Sequence, residues 1–325
     1  MNVLITSIGK RVQLIEHLKQ EHYIIGVDCN ELVSSKEFVD VFYKVPRYNE
    51  KSFIKTILDI CKNEKVDLLI PLYEKEFFDL CDNRKKFEEF GTTLLLSSKS
   101  IIDICNNKLN TYEFFKKSNI STPVSYSKSD IDNILYNNNE KKELKFPLII
   151  KPIDGMGSND VFKINNEKEL SFFKEYVDNP IIQEFIDGKE YTIDVLCDFF
   201  GNVISVVPRE RIEVRSGEVV KSKTVRNKEI IDSVMNLCDK LKTASNDNSI
   251  SIVGPLTIQC IYTSNKVIKF IEINPRFGGG VPLTFESGVN YGKIFDELKS
   301  NNFNIKKLHD FKETLMLRYD EAVFK

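Results

Sequence analysis

The chain has 325 residues, a length that suggests two or three domains with ample material for a core. Hydrophobic residues make up 42% and charged residues 29%, which excludes a disordered chain. A formal net charge of -2 gives no electrostatic reason to expect nucleic acid or an anionic membrane as partner, so small-molecule chemistry is the default.

In chain order, the first third alternates short apolar strands with amphipathic helices. Strands are expected at Val3–Ile5, Ile24–Val27, Leu68–Ile70 and Thr93–Leu96, and helices near Val12–Lys19, Ser52–Cys61 and Phe77–Phe87. Such alternation predicts a parallel sheet with helices on its faces. A helical connection follows over 97–107, then a helix from Asn107 through Phe115, then a polar loop rich in Asn and Lys over 137–145, read as exposed. Beyond it come an all-apolar strand Leu148–Ile150, a Gly-rich turn, a strand Val161–Ile164, a helix Glu169–Tyr176 and a strand Ile181–Glu184. The remainder reads as a larger sheet, with strands Tyr191–Cys197, Val203–Val207, Gly254–Tyr262 and Val267–Ile273 and a helix Lys228–Leu241.

Seven cysteines are scattered singly, with no C-x-x-C pair, most of them within apolar runs. That is a poor disulfide or zinc framework and suits core filling in a reducing cytoplasm. Asn2-Val3-Leu4-Ile5 follows Met1 directly with no basic or apolar leader, and no apolar run approaches the roughly 18 residues of a membrane span, so a cytoplasmic protein is expected.

The most informative run is Phe270-Ile271-Glu272-Ile273-Asn274-Pro275-Arg276-Phe277 with Gly278, Gly279 and Gly280 after it. Side chains alternate along a strand, so Glu272 and Asn274 share a face, which Arg276 continues if the chain stays extended. Two oxygen ligands beside a guanidinium suit Mg²⁺ carried by substrate phosphates. Gln259, on the preceding strand, reaches the same spot if the two strands pair antiparallel. Lys151 follows an apolar strand and precedes Pro152, which sets an ammonium at the edge of a buried sheet.

The turn Asp154–Asp160, with Gly155, Gly157 and Ser158, can aim backbone N–H groups at a phosphate, and reads equally as a hairpin turn. Glu190 at a strand entrance can accept ribose hydroxyls while the backbone around Glu184, Phe185 and Ile186 meets an adenine edge; both carboxylates are also ordinary solvated residues beside a turn. Arg209, Arg211 and Arg215 follow a strand and give either a basic wall for an anionic intermediate or solvent-facing edge charges, with Arg215 favoured for function. His17, His22 and His309 lack triad-like companions and read as surface residues. The turn Thr6–Arg11 has a single Gly, which argues against the alternative of a dinucleotide-binding module.

Taken in order, Lys108, Ile150-Lys151-Pro152, the Gly155–Ser158 loop, Glu184 to Ile186, Glu190, Gln259 and Glu272-x-Asn274-x-Arg276 resemble the ATP-grasp superfamily over about 2–292. The closest likeness is to one synthetase half of the carbamoyl phosphate synthase large subunit. The resemblance implies an α/β fold: a Rossmann-like parallel-sheet domain over 1–105, then a two-lobed ATP-grasp domain with antiparallel sheets, its small lobe over 106–186 and its large lobe with the C-terminal tail over 187–325. It further implies that Lys108 and Lys151 hold the phosphates of ATP, that Gly155, Gly157 and Ser158 close over them, and that Glu190 holds the ribose. Gln259, Glu272 and Asn274 would bind Mg²⁺, with Mn²⁺ an alternative ion, and Arg276 and Arg215 would be catalytic.

The implied activity is a carboxylate–amine ligase acting through an acyl phosphate, with small-molecule carboxylate and amine substrates. A lid over about 122–184 would shield that intermediate. One ATP-grasp unit without a glutaminase partner departs from carbamoyl phosphate synthesis, which stays as the alternative of phosphorylating bicarbonate or carbamate. A non-catalytic nucleotide-binding module would require loss of a metal ligand. The acyl and amine pocket is expected around Thr284, Glu286 and first-domain loops, and a homodimer is expected as the commonest arrangement for soluble enzymes.

Overall fold

A computed structural model of the protein describes residues 1–136, 144–155, 157, 159–245, 251–300 and 308–325. Three sheets organise it. The first is parallel and contains β1 (Asn2–Thr6), β2 (Tyr23–Asp28), β3 (Val41–Lys44), β4 (Leu68–Ile70) and β5 (Thr93–Leu94), in the order β3-β2-β1-β4-β5. Alternation divides β1 between two apolar clusters: Val3 and Ile5 pack with α1 (Val12–Lys19), and Leu4 packs with α2 (Phe53–Asn63). Burial on both faces explains why this strand is apolar throughout. The chain moves outward from β1 to β3 and then returns to β4, so the carboxyl ends of β1 and β4 bound a switch point, where open α/β sheets place ligands.

Edge strand β3 is not anticipated by sequence, because Val-Phe-Tyr-Lys is only half-buried and shows no clear alternation. The helix expected over Phe77–Phe87 is two, α3 (Phe77–Asp82) and α4 (Arg84–Glu88), interrupted at Asn83. Next come α5 (Lys99–Asn106) and α6 (Lys108–Lys117). Between them Asn107 is extended, and its side-chain oxygen accepts from the N–H groups of Leu109 at 2.9 Å and Asn110 at 3.1 Å. This cap fixes Lys108 in the first turn.

The second sheet is antiparallel, β6 (Ser125–Ser127), β7 (Leu148–Pro152), β8 (Phe162–Ile164) and β9 (Pro180–Glu184), in the order β6-β9-β7-β8. Two helices, α7 (Lys128–Tyr136) and α8 (Glu167–Tyr176), back it over Ile131, Leu148, Ile150, Ile164, Leu170 and Ile182. The polar segment 137–143 and Ser158 lie outside the described residues.

The third sheet contains β10 (Lys189–Cys197), β11 (Val203–Arg215), β12 (Glu218–Thr224), β13 (Gly254–Tyr262), β14 (Ile268–Asn274) and β15 (Leu315–Leu317), antiparallel in the order β14-β13-β10-β11-β12-β15. Tyr191, Ile193, Val195, Ile258, Cys260 and Ile273 form its apolar face, against α9 (Lys228–Thr243). The polar face carries an in-register row of Glu272, Gln259, Thr192 and Arg209 on four successive strands. Finally α10 (Pro282–Glu286) and α11 (Tyr291–Lys299) turn back onto the first sheet through Phe285, Tyr291 and Phe295.

Five cysteines are buried, Cys81 is half-buried and Cys29 exposed, all of them free, as expected of core filling. No described helix is long and apolar enough to cross a membrane.

Candidate active site

The polar face of the third sheet floors a cleft of about 420 Å³, walled by the second sheet and lined also by Arg11, which follows β1. Lys108, Lys151, Gly155, Gly157, Glu184, Phe185, Ile186, Glu190, Gln259, Glu272, Asn274 and Arg276 all line it. Residues far apart in sequence thus meet in one place.

Gln259 and Glu272 face each other across β13 and β14. Gln259 Nε2 donates to Glu272 Oε1 at 2.7 Å, and Asn274 Nδ2 donates to the same oxygen at 3.0 Å. The amide oxygens and the second carboxylate oxygen stay available to a hard cation, a set that fits Mg²⁺ with phosphate completing its shell. Among the described residues no group of three or more His, Cys, Asp or Glu could hold a metal, so a cation here depends on this mixed carboxylate and amide set.

Lys151, 8% exposed, is pushed down to about 8, chiefly by burial and further by Lys108, while Glu272 and Glu190 pull it back up. Burial acts on Glu272 in the opposite sense and would raise it. Lys151, Lys108, the Asn274 amide and Arg276 together outweigh burial and hold its carboxyl below the ordinary range. Glu272 keeps some open surface, which faces the cleft. Lys108 Nζ donates to Gly155 O at 2.7 Å and Ile153 O at 3.3 Å, tying α6 to the Gly-rich loop. That loop is both a hairpin connection between β7 and β8 and part of the cleft wall, with Gly157 at φ +67°.

Glu190 pairs with Arg211 at 2.9 Å. The Phe185 ring lies under Lys163 Nζ, 4.0 Å from its centroid, and Glu184 Oε2 accepts from Val124 N at 3.3 Å. Arg276 Nε donates to Glu74, just past β4, and Nη1 donates to Phe277 O at 3.1 Å. The third sheet is thereby bound to the switch point of the first.

Several expectations are corrected. Arg209, Arg211 and Arg215 lie on β11 itself, because β12 pairs with its second half. Arg209 and Arg211 line the cleft, whereas Arg215 is 75% exposed and pairs with Glu213 at 2.8 Å. Register shifts at Arg211/Glu213 and Glu213/Val214 break the alternation that would have kept Arg215 on the cleft face. Thr284 is buried and donates to Asp194 Oδ2 at 2.5 Å, and Glu286 is exposed; neither lines the cleft.

The histidines are not surface residues. His22 is 5% exposed with Nε2 3.0 Å from Gly292 O, and His17 stacks on Phe285 with centroids 3.9 Å apart. His309 is half-buried. Arg11 is a cleft residue that the sequence does not single out; its position just after the carboxyl end of β1 was the available signal.

Comparison with known proteins matches residues 105–280 to the ATP-grasp domain family and residues 3–95 to the family described as PylC-like, N-terminal domain. The carbamoyl phosphate synthase large chain of Campylobacter jejuni is 24% identical over 267 residues, covering 74% of this chain. The chain spans only 24% of that protein. Among solved structures, the biotin carboxylase domain of Hydrogenobacter thermophilus 2-oxoglutarate carboxylase, a dimer in complex with MgADP, ADP and bicarbonate, aligns with a TM-score of 0.73 at 17% identity. That alignment covers 95% of this chain and 72% of the other. L-amino acid ligase from Bacillus licheniformis aligns with a TM-score of 0.67 at 18% identity, covering 93% of this chain and 76% of the other.

Proposed function

We propose, since the chain belongs to the ATP-grasp family, that it is an ATP- and magnesium-dependent ligase that activates a carboxylate as an acyl phosphate and transfers the acyl group to an amine. The observation that carries this reading is the meeting of Lys108, Lys151, Gln259, Glu272, Asn274 and Arg276 in one cleft. Fixed cations opposite an oxygen ligand set are what attack of one anion on another needs.

In the reaction a carboxylate oxygen bonds to the γ-phosphorus as the bond to the β-phosphate oxygen breaks, releasing ADP. The amine nitrogen then bonds to the acyl carbon, phosphate leaves, and the nitrogen gives up a proton to phosphate or water. Lys108 and Lys151 hold the phosphates, with the backbone of Gly155 and Gly157 beside them. Glu184, Phe185 and Ile186 take the adenine, and Glu190 takes the ribose once Arg211 shares it. Gln259, Glu272 and Asn274 would hold Mg²⁺ or Mn²⁺, which when bound offsets phosphate charge. Arg276 stabilises charge on the transferred phosphoryl group.

We divide the chain as 1–105, 106–186 and 187–325, one sheet in each unit, and take it to be a cytoplasmic homodimer. Buried free cysteines support the first assignment, and the dimeric biotin carboxylase domain supports the second. The test is release of ADP and phosphate from ATP and Mg²⁺ against a panel of acids and amines that includes bicarbonate with ammonia. Turnover confined to bicarbonate would favour a carbamoyl phosphate synthase-like reaction, and release of AMP with pyrophosphate would replace the ligase by an adenylating enzyme.

A further inference from the structure

One guanidinium nitrogen that lines the cleft, with its two N–H groups, has no hydrogen-bond partner among the described residues. Arg209 is 1% exposed, and its Nε and Nη2 donate to Asp194 Oδ2 at 2.7 Å and Oδ1 at 3.0 Å, a bidentate grip that fixes the fork. Nη1 is buried without a hydrogen-bond partner among the described residues. A buried charged donor left unmade is costly, and such groups call for an explanation. Asp194 cannot supply one, since both its oxygens face the Nε and Nη2 edge of the fork and Oδ2 also accepts from Thr284 Oγ1 at 2.5 Å.

Only glycine fits beside that nitrogen, so no side chain stands between it and the neighbouring main chain. Any Cβ at Gly280 would collide with Arg209 Nη1, and one at Gly279 would lie 2.5 Å from Glu218 Oε2 and 3.2 Å from Arg11 Nη1. Arg209 and Arg11 therefore border adjacent glycines of the same cleft. The Arg11 guanidinium donates no hydrogen bond among the described residues, and burial, with Arg276 and Arg318 adding repulsion, pushes it down to about 10. Its charge is incompletely offset by Glu218 and Glu74.

We propose that this end of the cleft is a carboxylate site, in which Arg209 Nη1, with Arg11 as second cation, receives the carboxylate of a small organic substrate. The proposal rests on the ligase reading and deepens it. Arg209 stands three strands from Glu272 in the in-register row, a backbone separation of roughly 14 Å at the usual strand spacing. The carboxylate held at Arg209 is on this reading a recognition group that survives the reaction, separate from the one phosphorylated beside the Glu272 metal set. A single unpaired guanidinium nitrogen, with Asp194 on the same fork and Glu218 near Arg11, suits a monoanion, while a phosphate dianion would meet both carboxylates.

The test uses the full chain saturated with MgADP and follows its unfolding midpoint against a diacid series from succinate to adipate, the common amino acids, their carboxamides and inorganic phosphate. Expected is stabilisation by members of one acid series, at least ten-fold weaker for the matching amide; whether diacids or amino acids bind names the source of the carboxylate. Gly280→Ala should weaken acid binding at least ten-fold while the MgADP Kd stays within two-fold, and Arg209→Lys provides the same reading if Gly280→Ala fails to fold. Binding of MgADP without any acid, equal binding of acid and amide, stabilisation by phosphate instead, or unchanged acid binding in both variants would each overturn the site alone. Absence of MgADP binding would remove the ligase reading and this site with it.

Discussion

Arg276 and Glu74, 202 positions apart in sequence, form an ion pair that joins the last motif of the third sheet to the switch point of the first. The carboxylate holds the guanidinium over the cleft, and the two side chains are only 17% and 11% exposed. Arg276→Ala should lower kcat by about 10²-fold or more with a smaller change in KM for ATP, as for loss of a group that acts on transition-state charge. Glu74→Gln, which keeps Arg276 but loosens it, should lower kcat less. Steady-state ADP release measures both, and a change in KM alone would make Arg276 a ground-state binding residue.

Glu272 is the only carboxylate of the candidate metal set and the anion that pulls Lys151 up most. Glu272→Gln keeps the shape and removes the charge, so turnover should fall by about 10²-fold or more while the fold persists. Circular dichroism and ADP release report the two properties separately. Normal turnover in this variant would take Glu272 out of the metal set.

Much of this site was legible because strand alternation is a local rule: Glu272 and Asn274 two apart, and Gln259 opposite them, needed only the period of a strand and an antiparallel turn. The first sheet, apart from its edge strand β3, was legible for another local reason: short apolar runs alternate with amphipathic helices. What escaped depends on partners distant in sequence. Arg209 and Arg211 turn inward only because β12 extends the pairing of β11, and Arg215 turns outward only because the pairing slips beyond Arg211. Glu74 gives no local sign of meeting Arg276, and His22 lies in a polar stretch whose burial is imposed by α11.

The slip in β11 supports a paired prediction. Asp194 and Arg209 are 3% and 1% exposed, so Asp194→Ala leaves a guanidinium buried without its counter-charge and should destabilise the fold by about 3–5 kcal/mol. Arg215→Ala removes an exposed side chain and should leave stability within about 0.5 kcal/mol and turnover near normal. Denaturant unfolding with ADP release checks both. A large activity loss in Arg215→Ala would return that residue to the catalytic set.

Lys151 gives the pH dependence its sign. Its folded value of about 8 lies below the ordinary 10.5, so between those values the unfolded chain binds more protons and stability rises with pH; below about 8 both states are protonated and the burial cost is constant. Nucleotide binding responds in the opposite direction. A phosphate beside Lys151 favours the ammonium and raises its value in the complex, so binding takes up a proton near and above pH 8. Affinity for MgATP should then fall by about ten-fold per pH unit above 8 until the raised value is reached. Calorimetry at pH 8.5 in buffers of different ionisation enthalpy should register this uptake in the native chain and none in Lys151→Ala. Constant affinity from pH 7 to 9.5 in the native chain would mean that Lys151 does not carry the phosphate.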